Sequence, residues 1–174
     1  MKNPEIIKHI LPWVDPNRTI TPTAIVLHWW EEPISRGDIE LLEELWEERS
    51  LASHFAVLAD GTIYQLTPHA NSFGRHAKCA NNSAIGIEIQ GMGREDLDEN
   101  AIQFQSVVAL TRFLKREFSI QTEFKVEGLE QDETMRFFGV TSHKIVDHYC
   151  SNANGKQDVH DEYLARVIED LEVA

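Results

Sequence analysis

The stretch "SAIGIEIQG", residues 83–91, alternates without a break: Ile85, Ile87 and Ile89 fall on one side of an extended chain, and Gly86, Glu88 and Gln90 on the other. This pattern predicts a strand with one apolar face and a second face that carries something polar. Glu88 is the informative residue. It lies where the chain is expected to be buried, and a buried carboxylate is costly unless it is paired, hydrogen-bonded or close to a cation. It is therefore either half of a structural salt bridge or a site carboxylate, and Gly86 on the same face leaves open space beside it.

The neighbouring segments set this strand in a mixed sheet. "TAIVLHWW" (23–30) is a nearly continuous apolar run with β-branched residues and reads as a buried central strand. "HFAVLADGTIYQL" (54–66) reads as two short strands around Asp60-Gly61, because a tight hairpin turn needs positive φ. "GDIELLEELWEERS" (37–50) places Ile39, Leu42, Leu45 and Trp46 at helical spacing, with an acidic outer face. A second helix is expected from about residue 100 to 118, with Phe104, Val107, Thr111, Leu114 and Phe118 inward and Asn100 with Gln103 capping its start. A last helix, 161–171, buries Tyr163, Leu164, Val167, Ile168 and Leu171. Strands interspersed with helices give an α/β fold: a central mixed sheet flanked by helices.

The chain of 174 residues fits one domain, 1–174, and no repeat or low-complexity linker divides it. Its 42% apolar and 26% charged composition is that of a globular protein. The formal net charge of −13 argues against nucleic acid as a partner, since phosphate recognition needs a basic surface. "IIKHILPWV" near the N-terminus is broken by Lys8, His9 and Pro12, so no signal peptide is read there, and no run is long enough to insert in a membrane. The expectation is a cytoplasmic monomer. Cys79 and Cys150 are two free thiols or one pair.

Four further polar groups are candidates for chemistry. His28 ends the apolar strand on the same side as Ala24 and Val26, either as a hydrogen-bonded core residue or as a ligand. His143 follows the apolar run "FFGVTS", and a loop without clear periodicity then leads to "GKQDVH". Lys156 and Asp158 point the same way if that end is extended; they are an exposed ion pair or part of a site. Two histidines and a carboxylate are a common catalytic zinc set that leaves a position for water, whose pKa falls toward about 7. A second carboxylate can move the proton, and a lysine can stabilise an oxyanion. His28, His143 and Asp158, with Glu88 and Lys156, supply each role, but eight histidines allow many other triads.

The pattern resembles the zinc-dependent type 2 N-acetylmuramoyl-L-alanine amidases and peptidoglycan recognition proteins. The likeness is carried in order by "TAIVLHWW", "ASHFAVLADGTIYQLTP", "GRHAKCANNSAIGIEIQG" and "SHKIVDHYCSNANGKQD". It implies one Zn2+ per chain on His28, His143 and Asp158, with Glu88 as acid/base and Lys156 as oxyanion partner. It further implies substrate contacts for His76, Trp29 and Asn82, and a peptidoglycan or muropeptide substrate cut between the N-acetylmuramoyl lactyl group and L-alanine. The alternative is a binding module of the same fold that holds muropeptide without cutting it. Such an enzyme serves wall recycling in the cytoplasm, or reaches the wall as a phage endolysin. Three departures stand out: Trp29 and Trp30 follow His28, Asp158-Val159-His160 replaces the usual Asp-Pro-Gly, and "GRHAK" lacks the usual tryptophan and glycine. Related proteins use a cysteine as third ligand, which makes Cys150 the rival of Asp158.

Overall fold

Alternating β-branched residues make the two inner strands, and their register is what brings distant residues together. In the computed structural model, which describes residues 2–30, 38–128, 135–150 and 155–173, β2 (Ala24–Trp29) and β5 (Ala84–Ile89) pair in parallel. Around them lie β1 (Ile7–Lys8), β3 (Phe55–Val57), β4 (Ile63–Gln65), β6 (Lys125–Glu127) and β7 (Arg136–Ser142) in the sheet order β1-β4-β3-β5-β2-β7-β6. The β3–β4 and β6–β7 pairs are antiparallel and the others parallel, so the sheet is mixed, as expected.

The alternation assigns the two faces. Ile25, Leu27, Ile85, Ile87 and Ile89 bury against α3 (Ala101–Phe118) and α5 (Asp161–Glu172). The opposite face carries Ala24, Val26 and Ala84 against α4 (His143–Tyr149), and Ala56 against α1 (Ile39–Glu47). A short α2 (Arg94–Asp98) precedes α3. The cleft opens between α1 and the start of α4, over a row in which Ala56, Glu88 and His28 lie side by side across three strands. Within this row the small Ala56 leaves the carboxylate room.

Several details differ from the sequence reading. The first helix stops at Glu47 rather than residue 50, and Gly37 lies outside the described residues. Leu45, expected inward, is 42% exposed and lines the cleft. Phe118, Ile168 and Leu171 are only partly buried. Asn100 caps α3 by accepting from the Gln103 N–H at 3.1 Å, but the Gln103 side chain turns away, donating to the carbonyls of Val57 at 3.2 Å and Gln90 at 2.8 Å. A buried amide that stitches two strand ends outweighs a reciprocal cap on an exposed helix start. The loop expected after His143 begins as a two-turn helix, while residues 151–154 of it lie outside the described residues. No helix among the described residues is long and apolar enough to cross a membrane.

Candidate metal centre and cleft

His28 sits near the C-terminal end of β2, directly opposite Glu88 of β5, and is 2% exposed. The C-terminal end of β7 is close by, because β2 also pairs with β7, Leu27 opposite Ser142. Ser142 caps α4, accepting from the Ile145 N–H, and this makes the next residue, His143, the first of the helix. Two bonds hold the returning segment against α4. The Lys144 N–H donates to the Asp158 carbonyl at 2.6 Å, and the Lys156 N–H donates to Asp147 Oδ2 at 3.2 Å. Asp147, 3% exposed, also takes Lys78 Nζ at 2.7 Å on its other oxygen.

These elements bring His28, His143 and Asp158 together. The Nδ1 atoms of the two histidines are 3.1 Å apart, and Asp158 Oδ2 is 3.4 Å from His28 Nδ1 and 3.3 Å from His143 Nδ1. Three acceptor-capable atoms this close cannot be satisfied by one shared proton. Asp158 Oδ1 and His143 Nε2 are buried and have no hydrogen-bond partner among the described residues. Two imidazoles and a carboxylate so arranged fit a divalent cation, and zinc takes this donor set. Burial pushes the Asp158 carboxyl up, but the two histidines that face its Oδ2 outweigh it and hold the group well below the usual carboxylate range. Burial lowers His28 to about 4, which keeps its ring neutral as a ligand must be.

Glu88 is 7% exposed, and Ser53 Oγ donates to its Oε1 at 3.0 Å. The same oxygen is 4.0 Å from His28 Nδ1. The carboxylate thus stands beside the triad without being one of its three members. Lys156 lines the same cleft, which measures about 470 Å³.

The three residues expected to contact substrate divide. Trp29 lines the cleft and packs in part against the α3–α5 core, and Trp30, buried beside α1, lines the cleft as well. Asn82 is exposed and is not part of the cleft wall; Asn81 is, and its Oδ1 accepts from the backbone N–H groups of His76 and Ala77. His76 lies on the cleft wall with both ring nitrogens engaged, Nδ1 3.0 Å from His28 Nε2 and Nε2 3.0 Å from the Ala84 carbonyl. It also fills the space that Gly86 leaves: a Cβ at residue 86 would meet His76 Nδ1 at 2.6 Å. Burial drives His76 well below the usual histidine value. Cys150 forms a disulfide with Cys79 and has no thiolate to offer a metal.

Ser53, Asp147 and the cationic cleft residues Arg49, Arg75 and Lys78 were not anticipated. Ser53 precedes the hairpin histidine, a position whose inward direction no periodicity marks. The arginines are apart in sequence, and Arg75 Nη1 donates to the Arg49 carbonyl at 3.2 Å only in the fold.

A family model described as N-acetylmuramoyl-L-alanine amidase matches residues 17–161. An endolysin N-acetylmuramoyl-L-alanine amidase from Clostridium intestinale superposes with a TM-score of 0.67 at 22% identity, over 95% of this chain and 97% of that one. The hydrolase AmiA of Staphylococcus aureus, solved with its ligand, gives 0.66 at 15% identity, over 98% and 84%. A mutant endolysin from Bacillus subtilis gives 0.63 at 23%, over 94% and 98%. At these identities the structural likeness establishes the fold. No curated protein sequence matches.

Proposed function

The chain belongs to the N-acetylmuramoyl-L-alanine amidase family and is a peptidoglycan amidase of that class; from this premise we propose that it is a zinc hydrolase cutting the amide between the lactyl group of N-acetylmuramic acid and L-alanine of the stem peptide. The observation that carries the zinc reading is the convergence of His28 Nδ1, His143 Nδ1 and Asp158 Oδ2, all on buried residues and within 3.1–3.4 Å of one another. In this reading those three residues hold the ion. When bound there, zinc supplies Lewis acidity, which polarises a carbonyl and makes water acidic enough to attack at neutral pH.

Glu88 takes the proton of the attacking water and returns it to the leaving amine, so that the carbon–nitrogen bond breaks to give a lactyl carboxylate and the free amine of L-alanine. The Ser53 hydroxyl occupies one lobe of Glu88 Oε1 and fixes the carboxylate's orientation. The Lys156 ammonium, on the same cleft wall, stabilises the oxyanion of the tetrahedral intermediate.

Digestion of muropeptides followed by mass spectrometry should release intact N-acetylmuramic acid fragments and peptides with a free L-alanine terminus. Metal analysis should find one zinc per chain. Glu88→Gln keeps a neutral group of the same shape and should lower kcat by roughly 10²–10⁴ while zinc content is unchanged. Undiminished hydrolysis by this variant would refute the role of Glu88, and a metal-replete protein without zinc would refute the ligand set.

A further inference from the structure

We infer that His76 is a positioning residue, whose ring holds His28 in the tautomer that leaves Nδ1 bare and turned toward His143 and Asp158. The inference rests on the reading of those three residues as a metal site and goes one layer beneath it.

One line of hydrogen bonds sets the tautomer. The Ala84 carbonyl can only accept, so the His76 nitrogen facing it at 3.0 Å, Nε2, carries the proton. A neutral imidazole has one donor and one acceptor nitrogen, so with Nε2 donating to the Ala84 carbonyl the His76 Nδ1 is the acceptor. The group 3.0 Å from that acceptor is His28 Nε2, which must donate. A neutral His28 protonated on Nε2 has a lone pair on Nδ1, the atom 3.1 Å from His143 Nδ1 and 3.4 Å from Asp158 Oδ2.

Without His76 the balance tips the other way. The Asp158 carboxylate beside Nδ1 favours a proton on that nitrogen, where it would make a charge-assisted hydrogen bond and block a metal. An acceptor behind the ring is what opposes this. Ligand histidines are commonly oriented by a partner on their second nitrogen, and losing such a partner typically costs 10–100-fold in metal affinity.

The seat for His76 is built by its neighbours. Gly86 is the residue that allows the ring to lie against β5, since an added Cβ would meet its Nδ1 at 2.6 Å and its Cγ at 2.7 Å. Asn81 Oδ1 holds the backbone of His76 and Ala77 at 3.0 and 2.7 Å. His54, edge-on to His76, does not compete for its nitrogens. Its own Nδ1 accepts the Gly86 N–H at 2.9 Å, and its Nε2 donates to the Ser72 carbonyl at 2.7 Å.

Two measurements test the proposal. Long-range ¹⁵N NMR of the metal-free wild-type protein at pH 7 should find the His28 proton on Nε2; a proton on Nδ1 overturns the inference. Zinc affinity, read by competition with a chelator, should fall about 10–100-fold in His76→Phe, which keeps a ring but no acceptor. His76→Gln, whose amide oxygen can accept from His28, should recover most of that loss. Unchanged affinity in His76→Phe, or equal losses in both variants, overturns the proposal. A wild-type protein that binds no zinc defeats the metal reading instead, while the tautomer is still read without metal. Should His76→Phe fail to fold, the wild-type spectrum and Gly86→Ala, which displaces the same ring, decide.

Discussion

His54 is fully buried, and burial lowers its pKa to about 4 although its bond to the Ser72 carbonyl works the other way. The unfolded chain, with an ordinary histidine value near 6.5, takes up a proton that the folded protein refuses. Stability from this residue is therefore complete above about pH 6.5 and drains away as the pH falls toward 4, by about 2–3 kcal/mol at pH 4.5. Urea unfolding of the metal-free protein at pH 7 and 4.5 should show that loss, and His54→Gln, which can still accept and donate, should lessen it. Parallel pH profiles for the two proteins would rule the linkage out. Of the individual residues, His28 and Glu88 were legible because alternation alone places a polar group on a strand's inner face. The role of His76 was not legible. A glycine in a sequence announces missing volume, but which ring fills that volume depends on a segment ten residues away whose path has no period.

Among the elements, α4 and the segment after it matter most to the cleft and were the least visible beforehand. Seven residues are too few for a helical stripe to show, and the cue that existed was Ser142, a favoured N-cap immediately before His143. The strands and long helices, by contrast, carry enough periods to be read, and strands interspersed with helices pointed to the mixed sheet without its strand order. The end of α4 is fastened by the Cys79–Cys150 disulfide, which closes a loop with a sequence separation of 71. Cysteine count alone could not reveal that pairing. Constraining so long a loop contributes about 2–4 kcal/mol. Thermal melts with and without reductant should differ accordingly, and the double change Cys79→Ser with Cys150→Ser should melt like the reduced wild type and be indifferent to reductant. If reduction left the melting temperature unmoved, the bond would be contributing nothing.

At the scale of the whole molecule, the net charge of −13 misrepresents the surface that matters. The acidic residues crowd such places as the outer side of α1, while Arg49, Arg75, Lys78 and Lys156 line the cleft. These four cations outnumber the two carboxylates of the lining, Glu88 and Asp158, so anionic stem peptides should be drawn in against the overall charge. Arg75→Glu should raise KM several-fold for a muropeptide with free carboxylates and less for one whose carboxylates are amidated. The difference should shrink in about 0.5 M salt as the Debye length contracts. Equal KM changes for both substrates would dismiss electrostatic attraction. The parallel ladder that sets His28 opposite Glu88 has a different sort of consequence. Backbone pairing, not the length of the intervening chain, measures the separation of these two side chains, so turns in the connection that carry none of Ser53, His54, His76 and Asn81 can change in length as long as β2 and β5 keep their alignment. The fold therefore offers protein engineers a fixed ruler between two side chains, beside turns that can be regrafted while the pairing holds.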